Sequence, residues 1–321
     1  MANVFVTREI PDEGLTLLKE SGHSVTISQK DGPLTADELI KVLQDAEYDA
    51  VLSTLNNAYT AEVMDAAPSV KIIANYAVGF NNIDIDAARE RGITVTNTPG
   101  VLTDAVAEHT MALVFSLARR VVEADRFTRA GKYIGWAPKL LLGTQVKDKT
   151  LGIVGAGRIG SRVAEIATAM GIHVIYNDIK QNNAFEEACG AAFVPELNEL
   201  LNRSDIVSLH VPLLDATHHL INAERLKHMK KDALLINTAR GPVVDEKALV
   251  EALKNGSLQG AALDVFEEEP ALTPGLVELE NVILTPHIAS ATIEARQAMS
   301  RLAGQSIIDF FAGKTPTHVV T

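Results

Sequence analysis

The chain has 321 residues but a single cysteine, Cys189, which excludes an intrachain disulfide and any cluster of cysteine metal ligands. Cys189 lies in the helical-looking segment Phe185-Glu-Glu-Ala-Cys with no activating neighbour, and it reads as structural. Positive charge is also scarce. The 29 Lys and Arg against 41 Asp and Glu leave a net charge of -12, which argues against nucleic acid or an anionic membrane as a partner. No apolar run has the length of a membrane span, and the opening Met1-Ala-Asn-Val-Phe-Val-Thr-Arg-Glu-Ile lacks a signal-peptide core, so a cytoplasmic protein is expected. The adjacent His218-His219 come nearest to a metal-binding pair. Neighbours in sequence rarely face one ion, and no carboxylate spacing completes a set, so no metal is expected and both are read as surface residues.

A hydrophobic content of 47% and a charged content of 22% describe a globular chain, long enough for about two domains. Short β-branched runs alternate with helical segments, which predicts α/β architecture with parallel sheets. The first half offers strands at 3–7, 24–28, 50–54, 71–75 and 93–97, the second at 151–154, 173–177, 205–210, 233–238, 260–263 and 281–284. Between the halves, a periodic apolar helix from about Thr103 to Arg119 leads into the glycine-rich stretch Arg129-Ala-Gly-Lys-Tyr-Ile-Gly-Trp-Ala-Pro. A helix capped by Asp245 and ended at Gly256 follows later, and a last one runs from about Thr292 to Phe311.

Gly155-Ala156-Gly157-Arg158-Ile159-Gly160 follows the apolar run ending at Val154 and opens a helix, and Asp178 closes the next strand. This is a dinucleotide-binding fingerprint in its proper setting: glycines for the turn, for the approach of a pyrophosphate and for helix–strand packing, with an acid for the ribose hydroxyls. Ligands of open parallel sheets bind beyond the carboxyl ends of the strands. Asp178, His210, Arg240, Asp264 and His287 all fall at or near such ends. Chemically, a guanidinium can grip a 2-keto acid, a protonated histidine can supply the proton that follows a hydride, and a carboxylate beside that ring favours the imidazolium. Each residue alone has a plainer reading: Arg240 as a surface ion, Glu269 as part of the acidic run Glu267-Glu-Glu, His287 as a buried structural histidine.

Tyr76-Ala-Val-Gly-Phe-Asn-Asn-Ile-Asp, Asn97-Thr-Pro-Gly-Val-Leu-Thr-Asp-Ala, Ile236-Asn-Thr-Ala-Arg-Gly, Leu263-Asp-Val-Phe-Glu-Glu-Glu-Pro and Thr285-Pro-His-Ile-Ala-Ser, with the fingerprint, resemble the D-isomer specific 2-hydroxyacid dehydrogenases from end to end. The glyoxylate/hydroxypyruvate reductase branch is the most similar, since Gly135-Trp136-Ala137-Pro138 also has a counterpart there. The resemblance implies two Rossmann-like, doubly wound parallel-sheet domains with the active site in the cleft between them. Residues 1–98 plus 288–321 would form a discontinuous substrate domain, and 99–287 the NAD-binding domain, with a dimerisation arm at about 119–145.

By motif position the resemblance gives Arg240, Glu269 and His287 catalytic roles. It assigns cofactor contacts to Thr103, Gly155, Gly157, Arg158, Ile159, Gly160, Asp178, Val211, Pro212, Thr217, Thr238, Ala239, Arg240, Asp264, His287 and Ala289, with Asp264 on the nicotinamide amide. Substrate contacts fall to Leu55, Val78, Gly79, Arg240 and His287, and to Trp136 reaching from the arm toward a partner's site. Ala289 and Phe80 depart from the glycine and tyrosine common among relatives. The expected activity is reduction of a small 2-keto acid, glyoxylate or hydroxypyruvate, by a homodimer preferring NADH to NADPH, because Asp178 would repel a 2′-phosphate. Alternatives are another dehydrogenase of the family, acting on phosphoglycerate, D-lactate or phosphite, or an NAD-sensing corepressor-like binding protein. The loop Thr54-Leu-Asn-Asn-Ala-Tyr lacks the basic cluster that a phosphorylated substrate would want.

Overall fold

In the computed structural model, which describes residues 1–321, the β-branched runs form two all-parallel sheets. The first contains β1 (Asn3–Val6), β2 (Ser24–Ile27), β3 (Ala50–Thr54), β4 (Ile72–Tyr76) and β5 (Thr94–Thr96), in the order β2-β1-β3-β4-β5. The chain leaves β1 toward β2 and then returns to its other side for β3, so this sheet is doubly wound. Every residue of β4 is buried, as a strand covered on both faces requires.

These strands belong to a unit made of Met1–Leu102 and Ala291–Thr321. The long terminal helix Ile293–Phe311, capped by Thr292, returns to it and packs on the helix Asp12–Glu20. Two long-range hydrogen bonds fix that return: the Gly14 N–H to Ser300 Oγ at 3.0 Å, and the Tyr76 hydroxyl to the Arg296 carbonyl at 2.7 Å.

The second unit, Thr103–Ser290, carries β6 (Thr150–Val154), β7 (His173–Asn177), β8 (Ala192–Phe193), β9 (Ile206–Leu209), β10 (Leu234–Asn237), β11 (Gly260–Leu263) and β12 (Val282–Leu284). Their order is β12-β11-β10-β9-β6-β7-β8. From β6 the chain winds out to β8, then crosses back to β9, so β6 and β9 flank the point where the strand order reverses. Ligands of such sheets bind there. The helix Thr103–Ala118 buries Ala107, Met111 and Val114 with Leu151 and Ile153 of β6 and Val163 of the helix Arg158–Ala169. The expected cap is present, with Asp245 accepting the Ala248 N–H at 3.0 Å.

Two features differ from expectation. β8 is only two residues long, too short for a periodic signal. Part of the segment expected as an arm is a helix, Val121–Arg129, after Arg120 turns left-handed with φ 55°. Pairs of Arg120 with Glu123 and Arg129 with Asp125 lie along it, a spacing that supports a helix despite its polarity. No helix is long and apolar enough to cross a membrane.

Candidate active site

The fingerprint turn joins β6 to the helix Arg158–Ala169 at the strand-order reversal. Gly155 has φ 95°, and a Cβ there would stand 2.9 Å from the backbone of His210 and Val211 beyond β9, so the turn must be glycine. At Gly160 a Cβ would meet the Gly155 carbonyl at 2.1 Å, which explains how closely the helix approaches its strand. Gly157, by contrast, faces open space and caps the helix, with Arg158 and Ile159 forming its first turn. That arrangement suits a pyrophosphate: bare backbone at the amino terminus of a 12-residue helix, where unpaired N–H groups and the helix dipole favour negative charge.

Asp178 braces the same turn from the end of β7. Its Oδ2 accepts the Ala156 N–H at 2.8 Å and its Oδ1 the Ile179 N–H at 2.7 Å. Each carboxylate oxygen keeps a lone pair for a second donor such as a ribose hydroxyl. Across the reversal, Val211 and Pro212 lead to a short 3-10 turn, Asp215–Thr217. The Thr217 hydroxyl serves its own loop there, donating to the Pro212 carbonyl at 2.6 Å and accepting the Leu214 N–H at 2.8 Å. His210 follows β9 with its Nε2 2.8 Å from the Ser208 hydroxyl, and burial pushes its pKa down to about 3.

Arg240 follows β10 in a turn shaped by Asn237, which accepts the Ala239 N–H at 3.0 Å and donates to the Arg240 carbonyl at 2.9 Å. Thr238, beside them, meets Thr110 of the helix Thr103–Ala118 hydroxyl to hydroxyl at 2.9 Å; Thr103 is the first residue of that helix. The next residue after Arg240 must be glycine, since a Cβ on Gly241 would lie 1.9 Å from the Phe266 carbonyl. The arginine turn and the loop after β11 thus touch backbone to backbone. Burial lowers the Arg240 pKa while the Glu269 charge opposes that shift.

That loop carries Glu269, which accepts the Phe266 N–H at 3.1 Å and pairs with His287. The His287 Nδ1 lies 2.9 Å from Glu269 Oε2 and 3.2 Å from Oε1, leaving Nε2 on the opposite edge of the ring. Burial works to raise the Glu269 pKa, but the hydrogen bond and charge of His287, the Phe266 amide and the Arg240 charge together hold it below the usual carboxylate range. The three expected catalytic residues are thereby collected at the carboxyl ends of β10, β11 and β12 of one sheet.

Asp264 follows β11 directly. Fully buried, it accepts the Ile288 N–H at 2.9 Å, the Ala289 N–H at 2.8 Å and the Thr285 hydroxyl at 2.6 Å, with His109 Nε2 at 3.5 Å. Its carboxylate holds the loop that presents His287. Burial would raise its pKa, yet these donors hold it low. His287 itself sits at φ 54°, a backbone conformation that costs a non-glycine residue about 1 kcal/mol or more and persists only where neighbours enforce it.

His219, expected at the surface, is half-buried and pairs its Nε2 with Glu267 Oε1 at 2.7 Å, while His218 stacks on it in the open. Glu267 also accepts the Glu246 N–H, and Glu246, 1% exposed, takes the Glu267 N–H at 2.8 Å. This support behind Glu269 had no local sequence signal, because its members lie 21 to 48 positions apart. In the first unit, Leu55 follows β3, while Val78 and Gly79 follow β4, each just past its strand's carboxyl end. Trp136 is 83% exposed in the irregular stretch after Arg129.

Residues 111–289 match the family described as D-isomer specific 2-hydroxyacid dehydrogenase, NAD binding domain. The glyoxylate reductase of Thermofilum pendens is 51% identical over 99% of this chain and 94% of its own length. A solved protein of Thermus thermophilus superposes with TM-score 0.92 at 44% identity, covering 99% of this chain and 100% of that one. The NADPH-dependent glyoxylate/hydroxypyruvate reductase of Sinorhizobium meliloti, solved with NADP and malonate, superposes with TM-score 0.86 at 32% identity, covering 100% and 97%. The chain belongs to the D-isomer specific 2-hydroxyacid dehydrogenase family.

Proposed function

We propose that this member of the D-isomer specific 2-hydroxyacid dehydrogenases reduces a small 2-keto acid, glyoxylate or hydroxypyruvate, to the 2-hydroxy acid. The observation that carries the reading is the His287–Glu269 pair at 2.9 Å beside Arg240, on the sheet whose reversal point holds the dinucleotide turn. The likeness to glyoxylate reductases along nearly the whole chain supports the same substrate class.

The turn Gly155–Gly157, the amino terminus of the helix Arg158–Ala169 and Asp178 would hold a reduced nicotinamide dinucleotide, which would supply the hydride. Arg240 grips the substrate's oxygens with its planar fork and polarises the carbonyl. As the carbonyl becomes an alkoxide, the protonated Nε2 of His287 gives it a proton, so one hydride and one proton convert C=O to CH–OH. Glu269 stabilises the imidazolium and fixes the ring through Nδ1. Within the first unit, Leu55 and the amides of Val78 and Gly79 are the groups proposed to face a carboxylate. Steady-state kcat/KM over a panel of keto acids tests the substrate class: glyoxylate and hydroxypyruvate should lead, and a lead for phenylpyruvate or a branched keto acid would refute it.

NADH is the proposed coenzyme, on the strength of Asp178; because the Sinorhizobium relative is NADPH-dependent, similarity does not decide the choice. A homodimer is proposed on the exposure of the arm, where Tyr133, Ile134, Trp136 and Leu142 are 55%, 99%, 83% and 64% exposed, more apolar surface than a monomer usually leaves in water. Light scattering should give about twice the 34.5 kDa of one chain.

A further inference from the structure

Three successive carbonyls after β4 are all held from within the first unit. The Ala77 carbonyl accepts the Thr98 N–H at 2.8 Å, the Val78 carbonyl accepts Asn97 Nδ2 at 2.7 Å, and the Gly79 carbonyl accepts Asn75 Nδ2 at 2.9 Å. In a trans peptide the C=O and the following N–H point in opposite directions. Fixing these carbonyls therefore turns the N–H groups of Val78, Gly79 and Phe80 the other way, and none of the three is used in the protein's own hydrogen bonds. Burial falls along the same stretch, from buried Ala77 through half-buried Val78 and Gly79 to exposed Phe80. Unpaired N–H groups of neighbouring residues can donate to one anion.

The side chains behind that set form a relay of neutral amides. Asn75, fully buried, also exchanges hydrogen bonds with Asn82, Nδ2 to Oδ1 at 3.2 Å and the reverse at 3.3 Å. Asn82 Nδ2 reaches on to the Asn57 carbonyl at 3.0 Å, and Asn57, also fully buried, accepts the Thr54 hydroxyl at 3.2 Å. The loop holding Leu55 and the loop holding Val78 are thus tied together. Amides suit this task because each both donates and accepts while carrying no charge that would compete for the anion or repel it.

We infer that Asn75, Asn82 and Asn97 are positioning residues for the substrate carboxylate, presetting the N–H groups of Val78, Gly79 and Phe80 before substrate arrives. The inference rests on the proposal that these amides receive the carboxylate. An aspartate at position 75 would replace the donor facing the Gly79 carbonyl with an acceptor and set a like charge behind the anion.

The test compares the unmodified full chain with Asn97→Ala, Asn82→Ala and Asn75→Asp, reading kcat and KM for glyoxylate, for its neutral methyl ester and for NADH, with a thermal melt of each variant. Loss of one preset donor should raise the glyoxylate KM about tenfold, leaving the NADH KM and the KM for the ester within about twofold. Asn75→Asp should raise it further, and where that buried change prevents folding, the two alanine variants carry the comparison. A glyoxylate KM unmoved in folded Asn97→Ala and Asn82→Ala, or an ester KM raised equally, overturns the relay while the functional reading stands. No turnover of glyoxylate by the unmodified chain overturns both.

Discussion

Nδ1 of His287 lies 2.9 Å from Oε2 of Glu269, across 18 positions of sequence, with each partner held by an independent anchor. Asp264 fixes the histidine's loop through the Ile288 and Ala289 amides, and the Phe266 amide together with the Glu246–Glu267 exchange fixes the glutamate's loop. A pair anchored from both sides keeps its geometry without substrate, which is what a proton donor at a fixed carbonyl position requires.

Glu269→Gln keeps the shape and removes the charge. The carboxylate is held below its usual pKa range, so it is ionised throughout neutral pH and faces Nδ1 of His287 as an anion. Without that charge the kcat of keto-acid reduction at neutral pH should fall by about tenfold or more. A kcat unchanged from the unmodified enzyme would contradict this role.

Arg240→Lys retains a positive charge but loses the planar fork, so glyoxylate KM should rise and kcat fall together, by about tenfold or more in kcat/KM. An effect confined to NADH binding would assign Arg240 to the coenzyme alone.

Asp178→Ala should weaken NADH binding and improve the use of NADPH, because the acceptor for the ribose hydroxyls and the charge facing a 2′-phosphate disappear together. Lys180, two residues on, would soften the original discrimination without reversing it. Equal kcat/KM for the two coenzymes in the unmodified protein would refute the assignment.

His210 gives an acid-stability signature. Its folded pKa of about 3 lies below the ordinary 6.5, so below that ordinary value the unfolded chain takes up a proton that the native protein refuses. The sign is destabilising: stability contributed by the neutral ring falls as pH drops from about 6.5 toward 3. Tm should therefore decline less steeply over this range in His210→Gln than in the unmodified protein, and parallel curves would argue against the burial.

Periodicity made the long elements legible: β3, β7 and β11 begin and end at the expected residues, and Asp245 and Thr292 cap the helices that follow them. The expected joins after residues 98 and 287 compare with observed ones after Leu102 and Ser290. Local signals failed where structure rests on distant partners. The half-burial of His219 comes from Glu267, 48 positions away, and the burial of Asp264 beneath His287 comes from a loop 24 and 25 positions on. The asparagines behind Val78 and Gly79 were visible as letters within the motifs, but which carbonyl each would hold depends on chain folding. The helix Val121–Arg129 leaves a weak signal in the sequence because it is short and mostly polar and buries no residue fully.

Initial rates of NADH oxidation with saturating glyoxylate, measured for the unmodified enzyme and for His287→Ala, decide whether His287 gives the proton. The unmodified enzyme should turn over readily, and kcat in the variant should be lower by about 10² to 10⁴ through loss of the proton donor, with NADH affinity retained. Near-normal kcat in His287→Ala would contradict that role.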